Sequence, residues 1–194
     1  MVLWIVFGYL LGSVPFAFLI ARRAGIDVRV SGSGNVGAAN VLRTSGAALG
    51  VVVMALDISQ GVAAVLVAQA TTGIVTAMAS AGAAAIVGHI YPVWLRFHGG
   101  KGVAVAAGVF SVLAPLATLA AMTVFVIGVW LTRLVSFGSV AATLALPPIA
   151  WLSGAPSQVI AASIGSSALI LFRHRSNIGR LVARSERRIG ERIR

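Results

Sequence analysis

The chain has 194 residues, of which 59% are hydrophobic and 10% charged, with 15 Lys and Arg, a formal net charge of +11 and no cysteine. A soluble domain carries about 25% charged residues, so this composition cannot cover a water-facing surface and predicts an integral membrane protein. Disulfides and thiolate metal sites are excluded. The cations are not interleaved with stacking aromatics, which points away from nucleic acid and toward anionic lipid or a phosphorylated substrate.

Val2–Ala21 is the first apolar run long enough to span a bilayer, which takes about 20 residues. No positive leader precedes it, and Arg22 and Arg23 follow it. It therefore reads as a helix inserted with its N-terminus outside rather than as a signal peptide. The polar block Ser31–Gly46 (SGSGNVGAANVLRTSG) comes next. Ala47–Ala70 and Thr72–Ile90 are two further spans, and the turn at Thr71–Gly73 returns the chain to the side of Arg22. The second polar block, Phe97–Gly102 (FHGGKG), then places Arg96 and Lys101 on the side of Arg43.

Val103–Thr132 is long for one helix and short for two. A single crossing would put Arg133 and the Arg-rich tail outside, against the positive-inside tendency. Two short passes turning near Ala114–Pro115 bring all 15 cations to one side. Phe137–Leu152 and Ala155–Phe172, with a turn at Ser153–Gly154, complete the pattern. The expected fold is an all-α integral membrane protein of seven transmembrane helices, N-terminus outside and C-terminus cytoplasmic. It forms a single membrane-embedded domain over 1–194, with a basic cytoplasmic tail over 173–194. In that tail Ile178, Leu181, Val182, Ile189 and Ile193 recur at roughly helical spacing between arginines. This fits an amphipathic helix on the cytoplasmic lipid surface, or a disordered basic tail that satisfies the topology rule.

Gly32–Gly37 matches G-x-G-x-x-G, but a basic linker precedes it instead of a strand, and Asp57, at the spacing of the acidic partner, lies inside an apolar span. It is no dinucleotide fingerprint. FHGGKG lacks the spacing and the hydroxyl residue of a Walker motif. Anion chemistry remains. Ser33, Asn35, Asn40 and Arg43 in one loop and Lys101 in another supply donors for two anionic groups, and glycines let backbone N–H groups approach an anion. Turns favour Gly, Ser and Asn for ordinary reasons, but those reasons do not require Gly-Gly-Lys-Gly beside a second such loop.

His89 ends a span before Tyr91-Pro92, where a structural hydrogen bond is expected, and His98 adds polarity to its loop. His174 and Asn177, one turn apart, can face the same pocket from one helical edge. Asp57 is the acid within a span, where a charge costs at least about 2.5 kcal/mol, and an arginine of the first loop is its expected partner. Most metal centres need more inward acids than this, so no metal is implied.

Three stretches, GSGNVGAANVLR (Gly32–Arg43), GHIYPVWLRFHGGKGVA (Gly88–Ala104) and HRSNIGRL (His174–Leu181), resemble the signatures of the bacterial acyl-phosphate:glycerol-3-phosphate acyltransferases, the PlsY family. The resemblance runs through essentially the whole chain. It implies acyl transfer from acyl phosphate to the sn-1 hydroxyl of glycerol 3-phosphate at the cytoplasmic face of the bacterial plasma membrane, with no cofactor. The products would be lysophosphatidic acid and phosphate, the first step of phospholipid synthesis. The anionic lipid of that membrane face would be a further partner.

By motif position, the resemblance makes Ser33, Lys101 and His174 catalytic. Gly34, Asn35, Asn40, Arg43, Gly99, Gly100, Gly102 and Asn177 would bind substrate. Other glycerophosphate acyltransferases carry a His followed five residues later by Asp; here Trp94, Val103 and Gly179 stand at those places. Ala39, Gln60, His98 and Val105 replace residues that are polar or cationic in most of the family, which bears on donor affinity and substrate range. Two other classes compete: an organic-phosphate transporter, whose site would lie near the bilayer midplane, and a lipid-binding scaffold that depends on the basic tail.

Overall fold

The computed structural model describes residues 1–190, which form ten α-helices and one 3-10 turn, with no strand among the described residues. Helices α1 (Val2–Gly12) and α2 (Phe16–Arg23) divide the first expected span. Pro15 has no N–H and pushes Val14 out of helical geometry, which leaves carbonyls at the end of α1 without helical donors. Gln60 of α4 (Ala47–Thr72) answers them: its Nε2 donates to Leu11 O and Val14 O, each at 2.9 Å. One buried amide thus stitches a helix break.

The chain divides into two compact units, Met1–Leu113 and the part from Ala114 onward. The first unit adds α3 (Ala38–Ser45), α5 (Val75–Ile90), the 3-10 turn Val93–Leu95 and α6 (Val103–Leu113). Apolar helices gain little from burial in lipid, so close backbone approach has to hold them together. Gly8 and Gly12 of α1 supply it against Ala81 and Ala85 of α5, where any Cβ would overlap a backbone carbonyl.

The second unit holds α7 (Pro115–Thr132), α8 (Val135–Leu152), α9 (Ser157–Arg173) and α10 (Arg175–Val182). The expected break is present: Ala114 is non-helical and Pro115 opens α7, where its missing N–H costs nothing. Ser167 of α9 donates to Thr143 O of α8 at 3.0 Å, a polar tie between two apolar helices.

Among the described residues, five helical stretches are long and apolar enough to cross a membrane: Val2–Arg23, Ala47–Thr72, Val75–Leu95, Pro115–Thr132 and Val135–Leu152. The other two expected spans are the shorter apolar helices Val103–Leu113 and Ser157–Arg173. The tail differs from a continuous amphipathic helix. Helix α10 carries Ile178, Leu181 and Val182 and stops there, while the Ile189 N–H donates to Arg133 O at 2.9 Å. Glu191 and Ile193 lie outside the described residues.

Candidate active site

In the first unit the loop before α3 is built on Asn40, which is 1% exposed. Its Nδ2 donates to Val28 O and Ser31 O, both at 3.0 Å, and its Oδ1 accepts the Ser33 N–H at 2.9 Å. All three bonds run to the chain itself, so Asn40 sets the loop's shape. Gly32 adopts a positive φ directly against the Asn40 side chain, a conformation that strains any other residue. On this frame Ser33 and Gly34 are exposed, Asn35 is half-buried, and Arg43 is half-buried in the last turn of α3.

The second loop follows α5. The Gly99 N–H donates to Ile90 O and the Gly100 N–H to His89 O, each at 3.1 Å. These amides seat the loop on the end of α5. Glycine is required here by space: a Cβ on Gly99 would overlap His89 O, and one on Gly100 would overlap the His89 ring. Lys101 follows, half-buried, and Gly102 turns the chain into α6 with φ +86°. His98 stays exposed, its Nδ1 2.6 Å from Arg96 O.

Asp57 corrects an expectation. No arginine of the first loop pairs with it; among the described residues the basic group near it is His89, whose Nδ1 lies 3.9 Å from Asp57 Oδ1, too far for a hydrogen bond, with both side chains buried. The packing of α4 on α5 turns Asp57 toward the end of α5. In the first loop Arg29 pairs with Asp27 instead, at 2.7 Å. The side-chain hydrogen bond from Arg29 and the bond to its backbone N–H hold the Asp27 carboxyl down at about 2.

In the second unit His174 joins α9 to α10 and is 2% exposed. Its Nδ1 lies 2.8 Å from Ile170 O, and because a carbonyl only accepts, Nδ1 carries the proton. In the neutral ring Nε2 is then the basic nitrogen. Asn177, also buried, donates its Nδ2 to Glu186 Oε1 at 2.7 Å, and Arg180 Nε donates to Glu186 Oε2 at 2.6 Å. No group of three or more His, Cys, Asp or Glu able to hold a metal occurs among the described residues.

Gln60 and Glu186 gained roles that the sequence did not signal. Each acts on a partner from another helix or on a segment outside helical spacing.

Buried polar side chains and Gly-rich basic loops on an apolar helical scaffold define the class as a membrane protein. Comparison with known proteins narrows the class. Residues 2–184 match the family model described as glycerol-3-phosphate acyltransferase. The glycerol-3-phosphate acyltransferase of Synechococcus sp. (strain CC9902) is 46% identical over 185 residues, covering 95% of this chain and 92% of that protein. That of Roseobacter denitrificans is 43% identical over 190 residues, with 97% and 94% covered. A crystal structure of PlsY (YgiH), an integral membrane glycerol 3-phosphate acyltransferase in its glycerol 3-phosphate form, matches with TM-score 0.93 and 40% identity. It covers 97% of this chain and 95% of that one. The lysophosphatidic acid form matches at TM-score 0.91 and 39% identity, with the same coverage. The chain belongs to the glycerol-3-phosphate acyltransferase family and is a multi-pass membrane protein.

Proposed function

We propose that this protein transfers a fatty acyl group from acyl phosphate to the sn-1 hydroxyl of glycerol 3-phosphate, giving lysophosphatidic acid and inorganic phosphate. One observation carries the reading: the chain matches, over nearly its whole length, a family whose solved members include a glycerol 3-phosphate form and a lysophosphatidic acid form. The acceptor oxygen attacks the acyl carbonyl carbon, the carbon–oxygen bond to phosphate breaks, and the departing phosphate takes the hydroxyl proton. Acyl phosphate is already activated, so the protein's contribution is positioning and charge stabilisation. Two phosphorylated substrates repel each other, and the cations Arg43 and Lys101 offset that repulsion.

This reading assigns Ser33, Lys101 and His174 to the reacting groups. It assigns Gly34, Asn35, Arg43, Gly99, Gly100, Gly102 and Asn177 to substrate binding, with Asn40 serving through the loop it holds. The topology that accompanies it has seven spans in one acyltransferase domain, N-terminus outside, with the basic tail against anionic lipid at the cytoplasmic face of the bacterial plasma membrane. The five long and two shorter apolar helices support that count. The test is purified protein with acyl phosphate and labelled glycerol 3-phosphate, with acyl-CoA and acyl carrier protein as alternative donors. Lysophosphatidic acid from acyl phosphate is expected, and its absence overturns the reading.

A further inference from the structure

The turn that joins α5 to the 99–102 loop holds its large apolar side chains outward. Trp94 is 63% exposed, Phe97 56% and Val93 39%. Among the described residues neither aromatic ring stacks on another ring or on a cation. The backbone beneath them is closed on itself. The Leu95 and Phe97 N–H groups donate to Pro92 O, the Arg96 N–H to Val93 O and the His98 N–H to Leu95 O, at 2.9–3.3 Å. The Gly99 and Gly100 amides continue the pattern onto the carbonyls of Ile90 and His89. Turn and loop are therefore one hydrogen-bonded unit, and what holds the first holds the second.

Arg96 at φ 51° and Phe97 at φ 63° take the left-handed conformation in succession. Glycine enters that region freely, whereas a bulky side chain is strained there. With more than half of its surface exposed, Phe97 offsets little of that strain by packing inside the protein. Its contact lies outside the chain.

Two observations identify that contact as lipid. The apolar stretch Val75–Leu95, long enough to cross a membrane, contains Trp94 and ends directly before Arg96. The turn thus stands where hydrocarbon gives way to headgroups. Its side chains also suit that layer: aromatic rings settle at the level of the headgroups, and Arg96, exposed between Trp94 and Phe97, can meet lipid phosphate.

We propose that the 93–98 turn is a lipid-interface anchor, in which Trp94 and Phe97 enter the boundary between acyl chains and headgroups and fix the 99–102 loop at that depth. The inference goes beyond the proposed acyl transfer and stands without it.

The chain has four tryptophans, so Trp4→Phe, Trp130→Phe and Trp151→Phe together leave Trp94 as the reporter. The variant is placed in bilayer discs containing phosphatidylglycerol, which are open on both faces. Lipids brominated near the headgroup should then quench most of the Trp94 fluorescence. Absence of that quenching overturns the proposal in either of two ways. If iodide in the water reaches the ring, the turn is a docking face for a soluble partner; if it does not, protein covers the ring. Where the triple variant does not fold, a nitroxide on Phe97→Cys in this cysteine-free chain gives the same reading. It should collide more with oxygen than with a water-soluble nickel complex, and the reverse order overturns the proposal. Trp94→Ser with Phe97→Ser should carry a nitroxide on His98→Cys outward, raising its nickel collisions severalfold. An unchanged value would mean that the rings touch lipid without holding the loop, which also overturns the anchor.

Discussion

Asn177 donates its side-chain amide to Glu186 at 2.7 Å, so a residue assigned to substrate binding is held by an acid from the segment beyond its own helix. Arg180 grips the other carboxylate oxygen at 2.6 Å, and the Glu186 side chain is 5% exposed. Burial raises the carboxyl's pKa, and the hydrogen bonds from Asn177 and Arg180 more than reverse this, so the net direction is down.

A folded-state pKa below the unfolded one makes Glu186 stabilising above the unfolded value of 4.5. That stabilisation is lost as pH falls through the folded value. Proteolysis at Arg184, Arg187 and Arg188 should therefore accelerate as pH falls from about 6 to about 3.5 in the window set by this linkage. Glu186→Gln should be cleaved faster already at the higher pH, with a flatter pH response. An unchanged cleavage rate in wild type across that window would remove this account of the clasp.

Arg43→Ala should lower kcat/KM roughly ten- to a hundredfold, because a hydrogen bond to a charged group contributes about 1.5–3 kcal/mol. Arg43→Lys should restore only part of this, since an ammonium keeps the charge and loses the planar fork. Lys101→Ala should lose nearly all acyl transfer while still inserting and folding. Steady-state kinetics with both substrates checks each value; a change confined to acyl-chain preference would move Arg43 away from phosphate.

Asn40→Ala deletes three hydrogen bonds at a buried position and leaves Val28 O, Ser31 O and the Ser33 N–H without this partner. An unmade buried bond costs about 1–3 kcal/mol, so both Tm and activity should fall. Asn40→Asp keeps the acceptor for Ser33 and loses both donations, and should be intermediate or worse. Activity loss with an unaltered Tm would make Asn40 a direct ligand instead of the loop's frame.

Sidedness is testable because the chain has no cysteine. Single cysteines at the exposed positions His98, Arg133 and Ser185 should react with a membrane-impermeant label from the cytoplasmic side, and those at Thr71 and Ser153 from outside. Labelling of position 133 from outside would mean that Val103–Thr132 crosses once.

Much of the helical frame was legible because local chemistry writes it. Apolar runs, Gly73 and Gly154 at positive φ, and Pro115 at a helix start each act within a few residues, and the observed helices end where these stand. The charge pattern is equally local, which is why Arg43, Lys101, His174 and Asn177 could be picked out in order along the chain. Where local signals compete, the reading was weaker: Pro15 divided the first span, and the tail helix stopped at Val182.

Sequence alone thus determined the class of protein and the placement of its apolar helices, and it picked out the residues proposed to meet a phosphate. It did not determine which partner each buried polar group takes. Gln60 took the carbonyls freed beside Pro15, and Asn177 took Glu186. Such choices depend on how far each helix is rotated about its axis. That rotation is set by close contacts such as Gly8 and Gly12 on Ala81 and Ala85, where helices distant in sequence approach to backbone distance. Periodicity says which face of a helix is apolar, but in a chain apolar on nearly all faces only tertiary packing decides which face meets which neighbour.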